Sequence, residues 1–404
     1  MADTDTGAVP TGSLHLRALR LGPVWVDVNT AYIIYSQSGL DLVYQKTTDG
    51  GVTWGSSVTI HDGLAVKASV WYDRWTPGDS GTKIHLAYID TDSDDVFYAS
   101  LDTSDDSLSS EVVVFAGASF TNGNWDAGVV DVVRARGGNL YVGFWGNGTG
   151  EFGFYRSTDE GDNWTSRAQL ADGNAADGML LMPGDEADDD DIWCIYWDRS
   201  ANALSIKVYD DSGNSWAETS IATSMTDTNV YIQMSAAPRH RDNHVILVAW
   251  SELSAATADL KAWDIGGSGS ITALANVVTD LDESAQVAVL INQQNDDIYV
   301  AYLKGGTWRA TVDVVYKKST DGGVTWGAEQ SYSEAAAADL SALWAGISVG
   351  PGGGRFQPIF HHADDFELHV NLNNSVSVFP VLPLRAAYVG ASVDSIPSQG
   401  SARS

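Results

Sequence analysis

Seven short runs of apolar and aromatic residues recur along the chain, at 31–35, 84–88, 140–145, 192–197, 245–250, 298–302 and, less purely, 356–360. Each is apolar at consecutive positions rather than alternate ones, so each predicts a strand covered on both faces. A shorter apolar run usually precedes it, as at 129–134 and 286–290. Short, doubly covered strands at this regular spacing fit four-stranded antiparallel blades stacked around a ring. The predicted fold is all-β, a single β-propeller of seven four-stranded blades, with six as the alternative count. The units run over 14–61, 62–117, 118–172, 173–224, 225–278, 279–333 and 334–384. The propeller domain would thus span 14–384, between polar tails at 1–13 and 385–404. The run at 14–21 reads as an added strand that would close the ring on the last blade.

Where a strand should turn into the last one of its unit, a pattern Ser/Thr-x-Asp-x-Gly-x-x-Trp appears three times. It places Asp49, Gly51 and Trp54 after Thr47; Asp159, Gly161 and Trp164 after Ser157; and Asp321, Gly323 and Trp326 after Ser319. A fourth copy, with Asp211, Gly213 and Trp216, begins on Tyr209 and lacks the leading hydroxyl. The aspartates step by 110, 52 and 110 residues, multiples of one repeating unit. The carboxylate can accept from N–H groups of its own turn, and glycine tolerates a positive φ there. The tryptophan can bury its flat surface against the next sheet. These aspartates therefore read as structural. The pattern resembles the Asp box, or BNR repeat, of the sialidase-like β-propellers. That resemblance implies boxes on outer hairpins and a ligand face on the opposite side. It recurs among enzymes, lectin-like domains, assembly factors and phage virion proteins, so function must come from the site.

Charge narrows the partners. The chain carries 43 Asp and 10 Glu against 8 Lys and 14 Arg, for a net charge of −31. Such a field disfavours nucleic acid and anionic membranes. No apolar stretch is long enough to insert in a bilayer as a helix. The lone Cys194 falls inside a strand pattern and reads as a buried core thiol. The first residues lack the basic and apolar regions of a secretory signal. The localisation expected is a virion, or the medium after lysis, with the cytoplasm as the alternative.

On the predicted ligand face, Trp125, Asp126, Asp198, Arg199, Trp308 and Arg309 combine aromatic plates, carboxylates and guanidinium groups. That combination suits a glycan. Asp90, Asp92 and Asp94 resemble the start of an oxygen-rich Ca²⁺ loop, but Asp95 and Leu101 stand where such a loop needs Gly and Glu. No cofactor is required by any motif, and Ca²⁺ is the ion this cluster would take. The resemblance to sialidases implies three converging arginines, a Tyr–Glu nucleophile pair and an Asp acid. Arg199 and Arg309 alone fall on the right face, while Arg74, Arg134, Arg136, Arg239, Arg241 and Arg355 fall in or near turns of the opposite one. The reading that follows is a non-catalytic recognition or assembly module. It would be a phage tail or capsid-associated protein binding a host-surface glycan or neighbouring subunits. A sialidase-like glycoside hydrolase and an intracellular assembly factor are the alternatives.

Overall fold

The computed structural model describes residues 3–8, 20–37, 41–118, 129–146, 151–172, 177–185, 190–225, 234–251, 258–281, 286–304, 313–333, 340–349, 353–362, 367–372 and 376–378. The fold is a single all-β propeller of four-stranded antiparallel blades. Six blades are each cut from one contiguous stretch, at 24–61, 65–115, 130–172, 178–223, 234–281 and 287–331. A seventh four-stranded sheet joins both ends of the described chain, pairing Thr4–Asp5 with Glu367–Val370, then Ile359–His362 and Leu340–Trp344. The second strand of each contiguous blade is the doubly apolar run. Ala31–Ser36, Leu140–Gly146 and most of Ile192–Asp198 are buried throughout, because neighbouring blades cover both faces.

The closing strand differs from expectation. Thr4 and Asp5 pair in register with Val370 and His369, and Thr6 and Ala8 extend the contact to Leu368. The Asn371 amide also donates to Asp3 at 2.6 Å. Part of the predicted N-terminal tail is therefore the last sheet's fourth strand, because that edge would otherwise leave its backbone groups unpaired. Residues 14–19 of the predicted closing strand, and the tail at 385–404, lie outside the described residues.

The three full motif copies share one set of hydrogen bonds. Ser157 Oγ donates to Asp159 Oδ1 at 2.8 Å and accepts from the Gly161 N–H at 2.9 Å. Asp159 then accepts from the backbone and side chain of Asn163 at 2.9 and 2.8 Å. Thr47 with Asp49 and Ser319 with Asp321 repeat this arrangement, their second partners being Thr53 and Thr325. Gly51, Gly161 and Gly323 hold φ of +85°, +100° and +89°. A Cβ on Gly161 would come within 2.0 Å of the Tyr98 ring in the second blade. Trp164 packs on that same ring, 5.2 Å between centroids, and the Trp326 indole donates to Ala275 in the fifth blade at 2.9 Å. The turns thus fasten each blade to the preceding blade, not the next, and their tryptophans are half-buried rather than engulfed.

The fourth copy is a different turn. Without a hydroxyl at its start, the carboxylate one residue earlier takes over: Asp210 Oδ1 accepts from Gly213 N–H at 2.7 Å and Ser212 Oγ at 2.8 Å. The positive φ moves from Gly213 to Asn214, at +48°. Asp211 instead pairs with Arg156 at 2.6 Å and Arg167 at 3.3 Å from the third blade. It is still a seam residue, but not the turn's carboxylate.

The axis of the ring is filled. After the first strand of the second blade, a short 3-10 turn at Asp73–Trp75 carries Trp75 inward, 1% exposed. The Trp75 carbonyl lies 3.1 Å from His240 Nε2 in the fifth blade, and its ring lies beside Gly346 of the seventh sheet. A residue of the second blade touching the fifth and seventh must cross the axis. Deeper in, Arg20 is ion-paired with fully buried Asp131, which also accepts from Ser69 at 2.6 Å and from the Leu181 N–H at 2.7 Å. Cys194 is buried and unpaired, and burial pushes its thiol far above the usual range. No helix among the described residues is long and apolar enough to cross a membrane.

Candidate functional site

In the second blade the turn between the second and third strands, from the end of Lys83–Asp90 to the start of Asp95–Asp102, lies on the face away from the motif turns. Three elements converge there. Val58–His61 brings His61 from the first blade; Lys83–Asp90 brings Tyr88 and Asp90 on one side of a strand; and the residue before Val112–Phe115 is Glu111. His61 Nδ1 lies 2.6 Å from Glu111 Oε1, and its Nε2 lies 3.0 Å from Asp90 Oδ2. The Tyr88 hydroxyl donates to the same Glu111 oxygen. The imidazole rests against the stacked Tyr88 and Phe97 rings, at 5.1 and 5.3 Å.

Burial is graded across this cluster. His61 and Asp90 are 7% and 6% exposed, whereas the Glu111 side chain is 38% exposed. Burial, then the Glu111 carboxylate, pushes the Tyr88 phenol far above its usual range, so it stays a hydrogen-bond donor. Asp90 is fixed in turn by the Asp92 N–H at 2.7 Å. Gly63 passes so close that a Cβ would sit 2.7 Å from His61 Nε2. The result is a histidine clamped in one orientation between two carboxylates, one of them open to solvent. Such a set can hold and move a proton at Glu111 and His61, the requirement of general acid–base chemistry.

The residues nominated from sequence fare differently. Trp125, Asp126, Trp308 and Arg309 lie outside the described residues. Asp198 is taken up by its own turn, its Oδ1 accepting from Ser200 Oγ at 2.7 Å and from the Ala201 N–H at 2.9 Å. The Arg199 N–H donates to Asp177 at 3.0 Å, and that carboxylate also accepts from the Tyr196 hydroxyl at 2.7 Å. Asp198 and Arg199 are thus adjacent on the expected face, organised by Asp177, which sequence reasoning missed. Asp90, Asp92 and Asp94 are not gathered: Asp90 turns inward to His61, Asp92 is exposed, and Asp94 occupies a left-handed turn position at φ +59°. Among the described residues no three His, Cys, Asp or Glu side chains form a metal-binding group.

Arginine placement follows the sequence reading. Arg134, Arg136, Arg239 and Arg241 all engage partners at turns on the motif side. Arg20 is spent inside the ring on Asp131. His61, Glu111 and Tyr88 escaped the sequence reading because they sit on separate strands, 50 and 23 residues apart around Glu111. The one local signal was His61 ending a strand pattern beside Asp62.

No family model matches the chain, and no curated protein matches it in sequence. Solved structures do match in shape. A polysaccharide lyase of the ulvan lyase type is 10% identical with a TM-score of 0.59, covering 91% of this chain and 95% of its own. A leech intramolecular trans-sialidase is 12% identical with a TM-score of 0.50, over 82% of this chain and 69% of its own. A xyloglucanase from Xanthomonas campestris is 14% identical with a TM-score of 0.50, over 89% of this chain and 52% of its own. At these identities the likeness establishes the β-propeller fold, one shared with several enzymes that process glycans.

Proposed function

We propose that this protein is a glycan-cleaving propeller acting by general acid–base catalysis at the loop face. The observation that carries the reading is His61 held between Asp90 and solvent-exposed Glu111, with Tyr88 bracing Glu111. Glu111 and His61 would exchange the proton at the scissile linkage. Asp90 would orient the ring as a positioning residue. The similar enzymes on this fold, an ulvan lyase and a xyloglucanase among them, support a carbohydrate substrate. Net charge of −31 and an absent arginine trio among the described residues argue for a neutral glycan rather than a sialoside.

The test is turnover on neutral and uronic-acid-containing polysaccharides, reading new reducing ends for hydrolysis and unsaturated sugar for elimination. Glu111→Gln should lower turnover about 100-fold or more with unfolding unchanged, and His61→Ala should lower it as much while also costing stability, because that side chain is buried. Turnover indifferent to both substitutions would refute the assignment. A second reading, recognition without cleavage in a virion or another assembly, is favoured by Asp198 being consumed in its own turn. Binding with no released sugar would select it. Under that reading the Asp-box resemblance supports a phage particle as the setting, and glycan or neighbouring subunits as partners. Ca²⁺ is not needed by either reading.

A further inference from the structure

We propose that the flank of the sixth blade carries a second carbohydrate site, separate from the loop-face cluster and built on the aromatic rings Tyr316 and Trp326. The argument starts from what fills the same place elsewhere. Three residues before the motif's hydroxyl position, the third strand carries an aromatic ring: Tyr44 in the first blade, Phe154 in the third and Tyr316 in the sixth. Tyr98 holds the comparable place in the second blade. Where the following blade carries a motif tryptophan, it covers that ring, Trp164 on Tyr98 at 5.2 Å and Trp216 on Phe154 at 4.9 Å. The seventh sheet has no such motif. There Phe356 touches Tyr316 and Tyr299 at 5.1 and 4.8 Å, but no tryptophan follows.

Among the described residues, a cavity of about 540 Å³ lies beside this contact, lined by Tyr299, Tyr316, Lys318, Thr320, Trp326 and Gln330, among others. That volume is within the range of small-molecule sites. Its chemistry is that of a neutral sugar pocket. Two ring faces can stack on the C–H face of a pyranose, while the exposed Thr320 and Gln330 reach its hydroxyls. The Lys318 ammonium is neutralised by Asp297 at 2.5 Å and lies over the Tyr299 ring, so the pocket is not an anion site. The Trp326 N–H is already donated to Ala275, which leaves its ring, not its edge, for a ligand.

The experiment is calorimetric titration of the full chain with short neutral gluco-, xylo- and galacto-oligosaccharides. Exposed Ala328 lines the cavity, so Ala328→Trp should fill it without removing a buried contact. Ala328→Trp and Gln330→Ala should each weaken binding tenfold or more, with the melting temperature held. Glu111→Gln should leave this affinity intact, which separates failure here from failure of the acid–base reading. Wild-type protein that binds none of the probes, or binding that both flank variants leave unchanged, overturns the proposal.

Discussion

His240 offers a sharp test of how the ring is closed. Its Nε2 lies 3.1 Å from the carbonyl of Trp75, the residue that crosses the axis. Burial, with Arg136 adding to it, pulls the imidazole down to about 4, whereas an unfolded histidine titrates near 6.5. The folded value is depressed, so between those pH values the unfolded chain binds more protons than the native one. Stability should be full above the unfolded value and fall as pH drops toward 4. Linkage between the two values gives a loss of roughly 2–3 kcal/mol from pH ~7.5 to pH ~4.5. The assay is urea unfolding of wild type and His240→Gln at both pH values. Each stability is extrapolated to water, and the difference between the two proteins is compared. Carboxylates common to both cancel in that comparison. The wild type should lose roughly 2–3 kcal/mol relative to the variant on acidification. A difference that stays constant would mean the imidazole is not held neutral, and with it the claim that Trp75 seals the axis onto the fifth blade would fall.

Two further outcomes test the motif turns. Side-chain and backbone hydrogen bonds from Thr325, then Ser319, hold the Asp321 carboxyl at about 2, below its ordinary value. Its support should therefore persist above the ordinary carboxylate range and disappear only as pH falls toward 2, read as its carbonyl-carbon shift by NMR; a midpoint in the ordinary range would contradict the turn geometry. Gly161→Ala combines a φ of +100° with a collision on Tyr98 and should destabilise by about 2 kcal/mol or more in urea unfolding. Gly213→Ala, without the positive φ, should cost less, and equal costs would refute the distinction between the two kinds of turn.

What could be read from sequence was local. Consecutive burial in runs such as 140–145 is imposed by two flanking blades, and a period of that kind survives in the sequence without any tertiary knowledge. The motif turns were legible because every partner of Asp159 lies within four residues. The fourth copy misled for the same reason. Loss of one hydroxyl moved the turn carboxylate to Asp210, and Asp211 found arginines 44 and 55 residues away. The direction of packing, onto the preceding blade, was illegible because neither Tyr98 nor Ala275 is near its tryptophan in sequence. The loop-face cluster failed to appear for the same physical reason. His61 becomes notable only when two separate segments of the next blade lay Asp90 and Glu111 on its two nitrogens.

The closed axis and the loop-face cluster constrain function together. Among the described residues, Trp75 and the Arg20–Asp131 pair are buried toward the centre of the ring. On the motif side the turn aspartates are satisfied by their own hydroxyls and N–H groups, which leaves little carboxylate chemistry to offer. On the opposite side Glu111 keeps a solvent-exposed carboxylate while its buried neighbours fix where that carboxylate points. Exposure of one group and immobilisation of those behind it is what proton transfer to an incoming substrate requires. A cluster that served only to join two blades would gain nothing from leaving Glu111 open. Glu111→Met strips the Tyr88 hydroxyl and His61 Nδ1 of their shared acceptor and should destabilise under either purpose. Turnover separates the purposes: a variant that still folds but no longer cleaves glycan supports catalysis, and one that is destabilised with unchanged turnover assigns the cluster to the seam.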